Sequence, residues 1–326
     1  MRNPSIEVMR CVLMFLIVVY HGCNNGPFTG ADRGTACKMI PWLLFFCTNS
    51  FMFISGWFGI RLSWKRLAKF LLMGGFASIV LFVLSKPVFG NWQYHFSLGW
   101  FGNCYLAIVC VAPLINAGVE TLAKESRHAL WGMWAAWGGM IMISCLMPKG
   151  GVVSLAVSGW LGHGFNTMLF VYVTARIMRL TGVERLMTVP RTACLFVFAL
   201  GVHLSRLMVM NQFPGLKDWL IATGDYDSPE VLMMGVAFFF MFLPLRFKSW
   251  INQVCLFCAP SMFMVYLLHS GCANVGRMAY NRLILGVDGW MSPIVRFGGL
   301  TSIVIAAGVV FSVSVGVDLI RRLLMR

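Results

Sequence analysis

Long apolar blocks alternate along this chain with short polar segments. The blocks fall at about 5–23, 40–60, 67–85, 98–119, 128–147, 152–175, 192–211, 229–246, 252–273 and 294–318. Their length, roughly 18–25 residues, is what an α-helix needs to cross about 30 Å of hydrocarbon. At that depth the backbone has no water to bond to, so each block must satisfy its own N–H and C=O groups as a helix. The pattern predicts an all-α integral membrane protein with about ten transmembrane helices. Short linkers and the lack of a long polar segment predict one transmembrane domain over 1–326. No repeat of the kind that builds the inverted halves of a secondary transporter is visible.

The polar segments carry an asymmetric charge. With the N-terminus in the cytoplasm, the inner segments hold Arg2; Arg61, Lys65, Arg66 and Lys69; Lys124 and Arg127; Arg176, Arg179, Arg185 and Arg191; Arg246 and Lys248; and Arg321, Arg322 and Arg326. The outer segments hold most loop acids, namely Asp32, Asp218, Asp225, Asp227, Glu230 and Asp288. This bias places both termini in the cytoplasm. The first block contains Glu7 and Arg10 and no small-residue cleavage site follows it, so it reads as a retained helix.

Composition agrees with the pattern. Of 326 residues, 59% are apolar and only 11% charged, too few charges to cover a soluble surface. The net charge of +15 therefore reads as cytoplasmic loops that face membrane lipids, with nucleic acid excluded as a partner. The 11 cysteines are odd in number, irregular in spacing and mostly inside apolar blocks, where Cys packs as a small hydrophobe. Cys255 and Cys258 lie in such a run and read as packing residues. No cluster has metal-ligand spacing, so no metal is expected.

Chemistry concentrates in the first helix. A charge inside a span commonly costs about 2.5–3.5 kcal/mol, so it tends to face the protein and to mark function. Glu7 and Arg10 are three apart and can pair on one face. Arg10 and His21 are eleven apart, close to three whole turns, so they share a face with an offset of roughly 16 Å. One face thus carries an anion-binding group below and a titratable group above. In the second block Ser55 and Gly56 are expected to break an aromatic-rich helix and allow close backbone approach. The cations Arg61, Lys65, Arg66 and Lys69 that follow suit an anionic ligand or a positive-inside patch. Trp100, Asn103 and Tyr105 open the fourth block; Tyr266 and His269 end the ninth, His269 at the level of His21. The loop 212–228 mixes Trp219 and Tyr226 with Asp218, Asp225 and Asp227, a pairing that suits a carbohydrate or an interfacial belt.

These residues, taken in order, resemble the acyltransferase-3 family of integral membrane acyltransferases. Arg10 and His21 eleven apart, with Glu7 before them, look like its first-helix signature. The stretch FMFISGW at 51–57 is similar to its second-helix Ser-Gly pattern, Trp100-Phe101 to its aromatic pair, and Tyr266 with His269 to its late Tyr-x-x-His. Trp57 stands where Phe or Tyr is commoner, and the family's paired arginines appear only as Arg61 and Lys65-Arg66. The resemblance implies transfer of an acyl group, usually acetyl, from cytoplasmic acyl-CoA to a hydroxyl of a cell-surface or lipid-linked glycan, by a stand-alone enzyme of the bacterial inner membrane. On this reading His21 is general base or acyl relay, Arg10 and Arg61, Lys65 and Arg66 hold the donor, Glu7 orients Arg10, and Tyr266, His269, Trp100 and Asn103 face the acceptor. The alternative from the residues alone is a polytopic transporter or glycan flippase.

Overall fold

A computed structural model describes residues 3–25, 35–94, 96–146, 164–213, 226–270 and 299–325. All regular structure among them is helical. In chain order the helices are α1 (Pro4–Asn25), α2 (Thr35–Leu43), α3 (Phe46–Phe58), α4 (Trp64–Phe89), α5 (Gly99–Glu125), α6 (Arg127–Leu146), α7 (Phe165–Thr181), α8 (Val189–Gln212), α9 (Pro229–Phe242), α10 (Ser249–Cys258), α11 (Met262–His269) and α12 (Gly299–Leu324). Seven described segments are long and apolar enough to cross a membrane. Helices α6, α7 and α9 overlap the other three expected blocks without meeting that measure, so seven of the ten expected spans are seen among the described residues. The chain is an all-α integral membrane protein.

The chain divides into two compact units. The first comprises 1–44, 63–102 and 247–326, the second 45–62 and 103–246.

In the first unit α1 is the inner helix, packed against α2, α10, α11 and α12. Its Met9, Leu13 and Val18 are fully buried. The apolar run 249–269 is not one helix: Pro260, which has no N–H to donate, lies in a single 3₁₀ turn, Ala259–Ser261, that separates α10 from α11. Helix α11 packs on α4 and α12 as well as α1.

In the second unit α3 lies between α7 and α9, and α8 packs on α9. Phe53, Trp57, Phe239 and Phe240 form an aromatic core with ring centroids 5.0–6.3 Å apart. Ser55 and Gly56 do not break α3, contrary to the expectation from sequence. Ser55 Oγ donates to the Phe51 carbonyl one turn back at 3.1 Å, so its hydroxyl is satisfied inside the helix. Gly56 does allow close approach: a Cβ there would collide with the Tyr172 carbonyl and the Ala175 side chain of α7. The helix ends only at Gly59, whose φ of 71° requires glycine.

Large apolar side chains on outward faces, such as Leu114 on α5 and Phe198 on α8, are the lipid-contacting surface of a membrane protein.

Candidate active site

Helix α1 carries its ionisable groups at two levels. Near its start, Arg10 Nη1 donates to both oxygens of Glu7, at 3.2 and 3.4 Å. The Glu7 side chain is 6% exposed and that of Arg10 33%. A buried carboxylate needs a counter-charge, and Arg10 supplies it from one turn along. Because a single guanidinium nitrogen makes both contacts, the other N–H groups of Arg10 have no partner among the described residues.

About 16 Å along the axis, at eleven residues and 1.5 Å each, stands His21. Its Nδ1 lies 3.0 Å from His269 Nε2, and its Nε2 lies 3.2 Å from Ser270 Oγ. His269 Nδ1 lies 2.5 Å from the Val265 carbonyl, one turn back in α11. The protons follow from these partners. A carbonyl only accepts, so His269 Nδ1 carries the hydrogen and, in the neutral ring, Nε2 is an acceptor. His21 Nδ1 therefore donates, and His21 Nε2 keeps a lone pair that accepts from the Ser270 hydroxyl. His21 can take a proton at Nε2 while its bond to His269 stays as it is. A base already held in the geometry of its protonated form suits proton transfer.

The rings around this pair are aromatic. Tyr20 meets His21 edge-on at 4.9 Å, and Tyr266 meets His269 edge-on at 6.4 Å. Tyr266 packs in turn on Phe101 and Phe263 at 6.1 and 6.0 Å. Gly99, with φ of 68°, brings its backbone against the Tyr266 hydroxyl, and a Cβ there would overlap it. Trp100 is half-buried against Phe101 at 5.9 Å. The first unit thus joins His21, His269, Ser270, Tyr266 and the aromatic pair 100–101. Asn103 is exposed on α5 and belongs to the second unit.

Arg61, Lys65 and Arg66 are all exposed, and none has an acidic partner among the described residues. Lys65 and Arg66 lie in the first turn of α4, where unpaired backbone N–H groups add to the positive field. The segment before Arg61 is tied down within the second unit. Ile60 N donates to the Tyr172 hydroxyl at 3.0 Å, Tyr172 donates to Asn116 Oδ1 at 2.9 Å, and Asn116 Nδ2 donates to the Ile60 carbonyl at 2.9 Å.

Residues 3–316 match the family model described as the acyltransferase domain, almost the whole chain. The chain belongs to the acyltransferase-3 family. No curated protein and no solved structure matches it.

It is thus a membrane acyltransferase, and it buries further polar groups outside the histidine pair. Glu230 is not the outer-loop acid that its sequence position implied. It lies in the first turn of α9, 5% exposed, with Arg206 Nη1 at 2.5 Å and His203 Nδ1 at 3.4 Å. At the end of α12, the fully buried Asp318 holds Arg321 Nε at 2.8 Å and Arg322 Nε at 2.9 Å and accepts from Ser261 Oγ at 2.8 Å. In each network the buried carboxylate is already held by guanidinium groups, so these residues order helices of the acyltransferase rather than offer a reactive group. An apolar cavity of about 540 Å³ in the second unit is lined by Phe53, Trp134, Phe170 and Leu232, surfaces suited to hydrocarbon and not to proton transfer. The carbohydrate reading of loop 212–228 rests on Asp218, Trp219 and Asp225, which lie outside the described residues; Tyr226 and Asp227 are buried.

Proposed function

We propose that this acyltransferase moves an acyl group, acetyl in the simplest case, from cytoplasmic acyl-CoA to a hydroxyl of a cell-surface or lipid-linked glycan, in the bacterial inner membrane. The observation that carries the reading is the lone pair on His21 Nε2, fixed by the chain from Val265 through His269. Acyl transfer to a hydroxyl requires removal of that hydroxyl's proton as the new bond forms. A neutral imidazole of fixed tautomer, with its second nitrogen already in a hydrogen bond, is suited to that step. Half-buried Trp100 is the ring on which a sugar can stack, and Tyr266, buried against Phe101 and Phe263, supports the acceptor side from behind. Asn103 is proposed as an acceptor contact from its sequence position alone.

The offset between Arg10 and His21 supports a donor that enters from the Arg10 side. The extended pantetheine arm of a CoA thioester separates its reacting carbonyl from its phosphates by a distance of that order. Arg10 has N–H groups to spare for those phosphates, and its buried Glu7 holds the guanidinium in place. Lys65 and Arg66, with Arg61 ahead of them in the chain, are proposed to add to the pull on the donor's anionic end. Reporter fusions at the two termini read the orientation; both are expected in the cytoplasm.

The test is direct. Purified enzyme in a lipid nanodisc should consume acetyl-CoA and label a glycan acceptor, and His21→Ala should bind acetyl-CoA yet transfer nothing. Wild-type enzyme that neither releases CoA nor labels any glycan would sink the reading.

A further inference from the structure

Ser270 lies at the exit of α11, where its N–H still donates to the Tyr266 carbonyl at 3.0 Å but its φ of −138° has left the helix. The turn directs its hydroxyl onto His21 Nε2, at 3.2 Å. Ser270, His21 and His269 then form an ordered row: hydroxyl, imidazole, imidazole, with the last ring anchored on the Val265 carbonyl. A nucleophile within hydrogen-bond reach of a base, with the base oriented by a third group, is the arrangement that activates a serine for covalent catalysis. Here a neutral histidine fills the place that a carboxylate takes in the better-known triads. It fixes the tautomer of His21 in the same way.

We propose that Ser270 is the acyl-carrying nucleophile of this enzyme, with His21 as its base and His269 as the residue that positions His21. The proposal rests on the acyl-CoA reading above and deepens it. In the first half-reaction Ser270 Oγ attacks the thioester carbonyl of acyl-CoA. The C–O bond forms, the C–S bond breaks, and the serine proton passes through His21 Nε2 to the departing sulfur, giving free CoA thiol. In the second, the acceptor hydroxyl attacks the Ser270 ester. Its proton goes to His21 Nε2 and on to Ser270 Oγ as the serine C–O bond breaks. Atoms and charges balance over the two steps with no further reagent.

Geometry favours the serine over His21 as the carrier. Nδ1 of His21 is engaged by His269, so only Nε2 is left to attack. A carbonyl approaching along the Nε2 lone pair meets Ser270 Oγ, which already occupies that direction. The serine oxygen, by contrast, gains its base without any ring having to move.

The experiment uses the whole enzyme in nanodiscs with radiolabelled acetyl-CoA and no acceptor. Wild type should retain one acetyl group, mapped by peptide mass to Ser270, as an oxygen ester that outlasts neutral hydroxylamine treatment. Ser270→Ala should retain none and lose transfer by about 10³-fold or more while binding acetyl-CoA within about twofold of wild type. Ser270→Cys, which keeps the shape, should carry the acetyl group at the same position as a hydroxylamine-labile thioester. Ser270→Ala that transfers near the wild-type rate would overturn the proposal. So would label on His21 or His269, or steady transfer by wild type with no enzyme-bound acetyl and intersecting initial-velocity lines. Those three outcomes leave acyl-CoA-dependent transfer standing. A wild type that neither releases CoA nor transfers acetyl removes the proposal together with the reading beneath it.

Discussion

His21 and His269 are 248 positions apart in the chain and 3.0 Å apart in space, Nδ1 to Nε2. The bond is directional. Val265 takes the hydrogen of His269 Nδ1, so His269 accepts from His21 Nδ1, and the lone pair of His21 Nε2 is left facing the Ser270 hydroxyl.

His269 is therefore a positioning residue, and its loss should read as misorientation of His21. His269→Ala should lower kcat by about 10²-fold with little change in the KM for donor. His269→Gln, whose amide oxygen can still accept from His21 Nδ1, should recover part of that loss. The pH–rate profile of His269→Ala should change shape, because His21 then samples both tautomers. An unchanged profile and kcat would remove the pair from the mechanism.

The Glu7–Arg10 pair separates a folding role from a binding role. Arg10→Ala strands a nearly buried carboxylate, which commonly costs about 3–5 kcal/mol, so it should reduce the folded yield. Adding Glu7→Gln should restore yield without restoring affinity for acyl-CoA. If the double variant binds donor as wild type does, Arg10 serves the fold alone.

Exposed cations should act on the donor through charge. Lys65→Ala with Arg66→Ala should weaken acetyl-CoA binding several-fold, more so at low salt, while kcat at saturating donor stays within about twofold. Binding that is unaffected at every ionic strength would return these residues to topology and lipid contact.

Gly56→Ala tests the close approach of α3 and α7. Its Cβ would meet Tyr172 backbone, which cannot swing aside as a flexible side chain would. Overpacking of that kind costs about 1–3 kcal/mol. A lowered thermal-unfolding midpoint is expected, and a midpoint equal to wild type would mean that the two helices separate freely.

The sequence made the helices legible because hydrocarbon thickness imposes one block length and leaves little alternative to a helix. It made Arg10, His21 and Glu7 legible because charge in an apolar run is conspicuous. Ser270 carried no such mark: a lone serine after His269 changes neither charge nor periodicity, and its meaning depends on α11 ending where His21 can receive the hydroxyl. The meeting of His21 with His269 is a matter of which helices pack together, which no local pattern encodes. Ser55-Gly56 misled because a glycine in a membrane helix can serve packing instead of bending, and Ser55 satisfies itself on Phe51. Glu230 misled because an acid at the very start of an apolar block, 229–246, counts equally well with the outer loop, whereas it is buried in the first turn of α9 against Arg206 from a different helix.

The claim that matters most is that His21 performs the proton transfer. Its most direct test is acyl transfer by purified His21→Ala, compared with wild type at equal folded amount and saturating acetyl-CoA. Loss of a general base commonly costs about 10²–10⁴ in rate, and a loss in or beyond that range with donor binding intact is the predicted result. Transfer at a rate near wild type would contradict the account.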